Sequence, residues 1–207
     1  DDPKYATNEA KIKELYEKAK PFYEKAKELK PDNKQLWGQF LLNIYWKLNK
    51  AEYDALEKEF VLKAVADKKD LIVEVSDKIF DYAETGFHEF KTAKLYEDVL
   101  KKEGFQVEMG VGGMPTAFKA VYGSGKPVIG FLAEYDALPE LSQEGGCTMR
   151  KKAEGENPDG HGCGHNLLGA GAMAAALAVK AYLEEHPEAG SVVLFGCPSE
   201  EKGDGKA

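Results

Sequence analysis

Two apolar runs, PVIGFLA at residues 127–133 and SVVLFGC at Ser191–Cys197, stand on either side of a glycine- and alanine-rich stretch at 166–185. The first run is continuous and suits a buried central strand. The stretch between them has helical length, and its small residues permit close approach to a sheet. Together they read as a βαβ unit, and open α/β sheets gather their sites at the carboxyl ends of the strands. At those ends the sequence turns acidic. The first run passes into Glu134-Tyr135-Asp136, and the second into Pro198, Ser199, Glu200 and Glu201. Two adjacent carboxylates there offer one metal ligand and one general base, as metal-assisted hydrolysis requires. Equally, they suit an acidic pair opening a helix.

The helix itself opens on HGCGHNLLGAGAM, residues 161–173. Cys163 and His165 alternate with Gly162 and Gly164, so the backbone is free to turn a sulfur and a ring nitrogen onto one point. Thiolate and neutral imidazole are ligands that zinc-like ions favour. A position at a helix start is expected to favour the thiolate. The same spacing also fits a buried thiol beside a hydrogen-bonded ring.

Residues 1–60 are of a different kind. Lys and Arg balance Asp and Glu there, 12 against 12, whereas 16 face 24 in the remainder. Ile12, Leu15, Ala19, Phe22, Tyr23, Ala26 and Leu29 recur at helical spacing up to a break at Pro31-Asp32-Asn33. A second helix is expected from Trp37, Phe40, Leu41, Ile44, Tyr45 and Leu48, and a third over 51–60. Ala19, Tyr23, Ala26, Pro31 and Trp37 resemble the small, aromatic, small, proline and tryptophan positions of a tetratricopeptide repeat. The resemblance implies a helical segment at 1–61 that could bind a protein partner.

Residues 62–207 are expected to hold the α/β part. Helices are expected over 68–83 and 89–103, strands over 105–109 and 116–122, and a long polar loop reaches residue 160. Such loops are usually functional or mobile. A formal net charge of −8 argues against nucleic acid or anionic membrane as a partner. The apolar run at 167–179 is read as too short and too alanine-rich to span a bilayer. An odd number of cysteines, 3, fits no closed disulfide framework and suits a reducing, cytoplasmic setting. His88 and His186 are expected at the surface.

GFLAEYDALP, HGCGHNLLGAGAM and FGCPSEEKGDGK together resemble the first part of the catalytic domain of the dinuclear metallohydrolases. That family includes aminoacylases, carboxypeptidase-type peptidases and aminobenzoyl-glutamate hydrolases, and the first two motifs are nearest the aminobenzoyl-glutamate utilisation branch. The resemblance implies an α/β zinc-peptidase-type sheet with flanking helices, here incomplete, and an inserted dimerisation domain. It implies two divalent ions, zinc or manganese, with Cys163, His165 and Glu201 as ligands and Glu200 as general base. Glu134 and Asp136 fall near the metal site. Related branches place a ligand His two residues before Glu134, where this chain has Leu132. His161 reads either as support for a ligand or as packing. The implied substrate is a small amide such as an N-acyl amino acid or aminobenzoyl-glutamate, and the implied intact enzyme is an oligomer. Further histidine ligands are expected downstream, so this chain is expected to be inactive alone. Two other classes are weaker. A repeat-based binding scaffold leaves HGCGH and the strand-end carboxylates unexplained, and a zinc deaminase requires His-x-Glu followed by Pro-Cys-x-x-Cys, and no Pro-Cys-x-x-Cys occurs in the sequence.

Overall fold

The computed structural model describes residues 3–33, 50–144, 146–155, 157–203 and 205–206, and divides into two compact units, Asp1–Leu62 and Lys63–Ala207. In the first unit, α1 (Pro3–Leu29) runs through Pro21 and stops at the turn before Asn33. Ala19, Tyr23 and Ala26 are half-buried, whereas Leu15, Phe22 and Leu29 are exposed. The expected second helix and Trp37 lie outside the described residues. The segment expected over 51–60 is longer in the structure. As α2 it spans Lys50–Asp67, because residues 61–67 contain no glycine or proline to stop it.

The second unit is a mixed α/β layer. Helix α3 (Lys69–Tyr82) buries Val75, Ser76 and Ile79, and ends where Ala83 takes a left-handed conformation and donates its N–H to Ile79 O. Helix α4 (Phe90–Lys102) buries Thr92, Ala93, Tyr96 and Leu100, a stripe at three- and four-residue spacing. The strands are β1 (Gln106–Met109), β2 (Phe118–Gly123), β3 (Val128–Glu134) and β4 (Ser191–Cys197), and between the last two runs α5 (His165–Glu185). Their order in the sheet is β1-β2-β4-β3. β2 pairs antiparallel with both β1 and β4, while β3 and β4 are parallel, as a βαβ unit demands. The register sets Glu134 opposite Cys197, so both strands end at one level.

Three expectations fail at this level. The central buried strand is β4, not β3. β4 is paired on both sides and buried at six of its seven residues. β3 lies at the edge, with Val128, Ile129 and Leu132 between 44% and 56% exposed. An apolar run reports a tendency to be buried, and its place in the sheet depends on which strands pair beside it. Helix α5, at 21 residues, is also long and apolar enough by length and composition to cross a membrane, which the shorter run did not suggest. In the fold its buried residues, among them Gly169, Ala170, Met173 and Leu177, serve a different end. Met173 and Leu177 join the core with Tyr96, Phe118, Tyr135 and Leu194. Asn166 donates to Ser76 Oγ at 3.1 Å and ties α5 to α3. His186, expected at the surface, is buried with its ring 4.4 Å from that of Tyr182; the helix end packs the imidazole instead of exposing it.

Candidate metal centre

Three chain segments converge where β3 and β4 end. Glu134 is the last residue of β3 and Asp136 is buried just beyond it. Helix α5 starts at His165 after Gly164, whose left-handed conformation (φ 82°, ψ 26°) makes the turn that glycine takes without strain. β4 runs into Ser199 and a 3₁₀ turn, Glu200–Lys202.

His165 is the hub and is 1% exposed. Its Nδ1 lies 3.1 Å from the carbonyl oxygen of Asp136 and 3.0 Å from Oδ1 of the same residue. Both are acceptors, so Nδ1 donates to Asp136. Nε2 is turned to the carboxylates of Glu134, with Oε2 at 3.2 Å, and Glu200, with Oε2 at 3.5 Å. Asp136 also accepts the backbone N–H of Glu201 at Oδ2, 3.0 Å away. One buried carboxylate therefore orients both the imidazole and the 3₁₀ turn.

Among the described residues, two groups bring a donor atom from each member to within 4.8 Å of the others: Glu134 with His165 and Glu200, and Cys163 with His165 and Glu201. The structure thus gathers Cys163, His165, Glu134, Glu200 and Glu201, with Asp136 behind the ring. Leu132, two residues before Glu134, is half exposed on the edge strand and supplies no donor. Lys206 bridges Glu134 and Glu200, so a cation shared by those carboxylates competes with an ammonium. The thiol of Cys163 is pushed above its ordinary value by loss of solvent around the sulfur and by the carboxylates of Glu201, Glu200 and Glu134, although the residue as a whole is exposed. Desolvation and these charges act against the helix-start effect expected from sequence.

His161 joins neither group. Its Nε2 is 3.0 Å from Ile79 O and its ring stacks on Phe80. Burial pulls its pKa below the ordinary value. The long loop is pinned, with Leu138 and Gly160 bridged and Asn157 donating to Tyr82 O and Ala83 O at 3.3 and 3.4 Å. Beside it opens a cleft of about 650 Å³, lined by Phe80, Leu141, Cys147, Asp159, His161 and Gly162 among others.

Sequence reasoning missed the segment between α3 and α4. Glu84 accepts the N–H groups of Lys91 and Thr92 at the start of α4, at 3.0 and 2.9 Å. Glu89, 0% exposed, accepts from Ser199 N and Thr116 Oγ1. An acidic residue at a helix start is too common a pattern to have signalled either contact. Burial raises the Glu89 carboxyl above its ordinary value of 4.5, against the hydrogen bonds that lower it. The folded protein therefore holds that proton more tightly than the unfolded chain. The associated stability is present below the ordinary value and is lost as pH rises through the raised one. Denaturant midpoints of the parent, relative to a non-titrating Glu89→Gln variant, are expected to fall as pH climbs from 4.5; a constant difference across pH would refute this.

Against this geometry the comparisons with known proteins are direct. Residues 130–207 match the model of peptidase family M20/M25/M40. This is the portion that holds all five gathered donors. Over 148 residues the chain is 47% identical to the subunit of p-aminobenzoyl-glutamate hydrolase designated B in Escherichia coli, covering 71% of this chain and 30% of that protein. It is 34% identical over 104 residues to thermostable carboxypeptidase 1 of Saccharolobus solfataricus, covering 49% of this chain and 25% of that one. Among solved structures, a protein of methicillin-resistant Staphylococcus aureus provisionally assigned as an aminohydrolase superposes with a TM-score of 0.55 at 25% identity, covering 71% of this chain and 40% of that chain. The M20-like relatives are thus named hydrolases, and this chain spans less than half the length of each. The fold expected from the motifs, a sheet with flanking helices of the M20 aminohydrolase kind, is the fold found.

Proposed function

We propose that this chain carries the first part of the catalytic machinery of a metal-dependent amidohydrolase, acting on N-acyl amino acids or dipeptide-like amides such as aminobenzoyl-glutamate. The observation that carries the reading is His165, buried, held at Nδ1 by Asp136 and turned at Nε2 toward Glu134 and Glu200. A ring so oriented at the ends of two parallel strands is arranged to give its lone pair to a cation.

The donor set fits zinc or manganese, since it mixes a thiol, an imidazole and carboxylates. Cys163, His165 and Glu201 would hold an ion as the motifs imply, and the geometry adds Glu134. Divalent ions there would polarise an amide carbonyl and acidify water. Glu200 is the proton carrier in this reading. Its side chain is 33% exposed, so a substrate can reach it. It takes a proton from the attacking water and returns it to the leaving amine. Asp136 keeps His165 in its tautomer throughout.

His165 is common to both donor groups while its Nδ1 is engaged by Asp136, so the described residues cannot fully serve two ions at once. The 207-residue chain is therefore expected to take up about one zinc or manganese ion and to give no turnover alone. Its affinity should fall as pH drops, because protons compete for thiolate and imidazole. Titration at two pH values with elemental analysis checks the first point, and a panel of N-acyl amino acids including aminobenzoyl-glutamate checks the second. Metal-dependent turnover abolished by Glu200→Gln would overturn the claim of inactivity; pH-independent uptake would overturn the ligand set.

A further inference from the structure

We infer that Glu89 is a positioning residue, whose buried carboxylate fixes the Ser199 turn and thereby sets where Glu200 and Glu201 stand. Its significance for metal rests on the function proposed above; its geometry does not. Glu89 lies just before α4, far in sequence from the motifs, and joins neither donor group. Its Oε1 accepts the amide N–H of Ser199 at 2.8 Å, and its Oε2 accepts the Thr116 hydroxyl at 2.9 Å. Both oxygens are thus used, which is the condition under which a carboxylate tolerates full burial.

Ser199 needs such an anchor. It is a non-glycine residue in the left-handed region, at φ 56° and ψ 41°, a conformation that persists only when its surroundings enforce it. The Ser199 carbonyl accepts Lys202 N at 3.2 Å and the Glu200 carbonyl accepts Gly203 N at 2.8 Å. The orientation of Ser199 therefore passes directly to the two glutamates that follow. The turn is gripped at alternate amides by two buried carboxylates, Ser199 N by Glu89 and Glu201 N by Asp136. The same segment braces both strand ends. Thr85 bridges Ala137 beside Asp136, and Gly86 lies so close to Ser199 that an added Cβ would stand 2.6 Å from its Oγ. Lys202 Nζ reaches Gly86 O at 3.4 Å.

Two substitutions of Glu89 separate acceptor geometry from charge. Glu89→Gln keeps an oxygen at the reach of Ser199 N. Glu89→Asp keeps the charge and falls short by one carbon–carbon bond, about 1.5 Å. In metal-free protein, amide exchange at Ser199, Glu201, Lys202 and Gly203 is expected to quicken about tenfold in Glu89→Asp, the size expected for losing a hydrogen bond, and to stay within about twofold in Glu89→Gln, which keeps the acceptor. Exchange of the β4 amides should be unaltered in both and serves as the gauge of folding. With cobalt(II) as probe, affinity should fall by about 10–100-fold in Glu89→Asp and hold in Glu89→Gln. Unchanged turn amides in Glu89→Asp, or Glu89→Gln behaving as Glu89→Asp does, would overturn the inference. A parent protein that takes up no cobalt would sink the metal reading alone, since the exchange comparison still decides Glu89. Should Glu89→Asp fail to fold, Thr116→Val removes only the hydroxyl that steadies Oε2; Ser199 exchange should then quicken roughly threefold, and an unaltered rate overturns the inference.

Discussion

The Cys163→Ala, His165→Ala double variant is expected to lose zinc or manganese binding almost entirely. Loss of a residue that only orients a ligand costs about 10–100-fold in affinity, and this variant removes two of the proposed ligands themselves. His165 is the one residue common to both donor groups, and Cys163 supplies the only thiol in either. Without the ring, Glu134, Glu200 and Glu201 remain as carboxylates, two of them already bridged by Lys206. Such a set attracts cations weakly and without geometric preference. Elemental analysis after gel filtration reads the result, with exchange of the β4 amides confirming the fold. Metal content equal to the parent would show that the centre lies elsewhere.

Gly169→Ala is expected to cost about 1–3 kcal/mol of stability and to weaken metal uptake with it. Gly169 lies one helical turn beyond His165, on the same face of α5. A Cβ there would stand 2.4 Å from the carbonyl oxygen of Glu134 and 2.5 Å from Tyr96 Oη. The first is backbone at the end of β3 and cannot swing aside, so the helix must lift from the strand that carries Glu134. His165 and Glu134, now 3.2 Å apart, would separate. Gly171 is the control, since nothing lies within 4 Å of its added Cβ. Gly171→Ala should instead gain up to about 1 kcal/mol from helix propensity. Urea midpoints of the two variants check the contrast; equal and small effects would mean that α5 is not seated on β3 through Gly169.

Much of the second unit was legible because local patterning and tertiary burial agree there. Val75 and Ile79 in α3, and Tyr96 and Leu100 in α4, recur at helical spacing and are buried as that spacing demands. The ends of α3 and α4 fell within a residue or two of expectation, at Ala83 and Gly104, where the chain takes left-handed conformations. Cys163, His165, Glu200 and Glu201 were visible because a thiol and an imidazole at short spacing beside glycines, and carboxylates after a strand, carry their chemistry in their order.

What sequence alone determined about this protein was therefore the set of elements and the residues offered at their ends, since helix period, turn glycines and donor types are properties of neighbouring residues. Tertiary structure alone decided which strand took the centre of the sheet. β4 pairs with both β2 and β3 and left the equally apolar β3 at the edge, because pairing is settled between distant segments. It also decided that Asp136 orients His165 across 29 positions and that Glu89 holds Ser199 across 110. A carboxylate's role depends on which amide or ring folding brings to it, and nothing in the residues flanking Glu89 announces an acceptor for a turn that far along the chain.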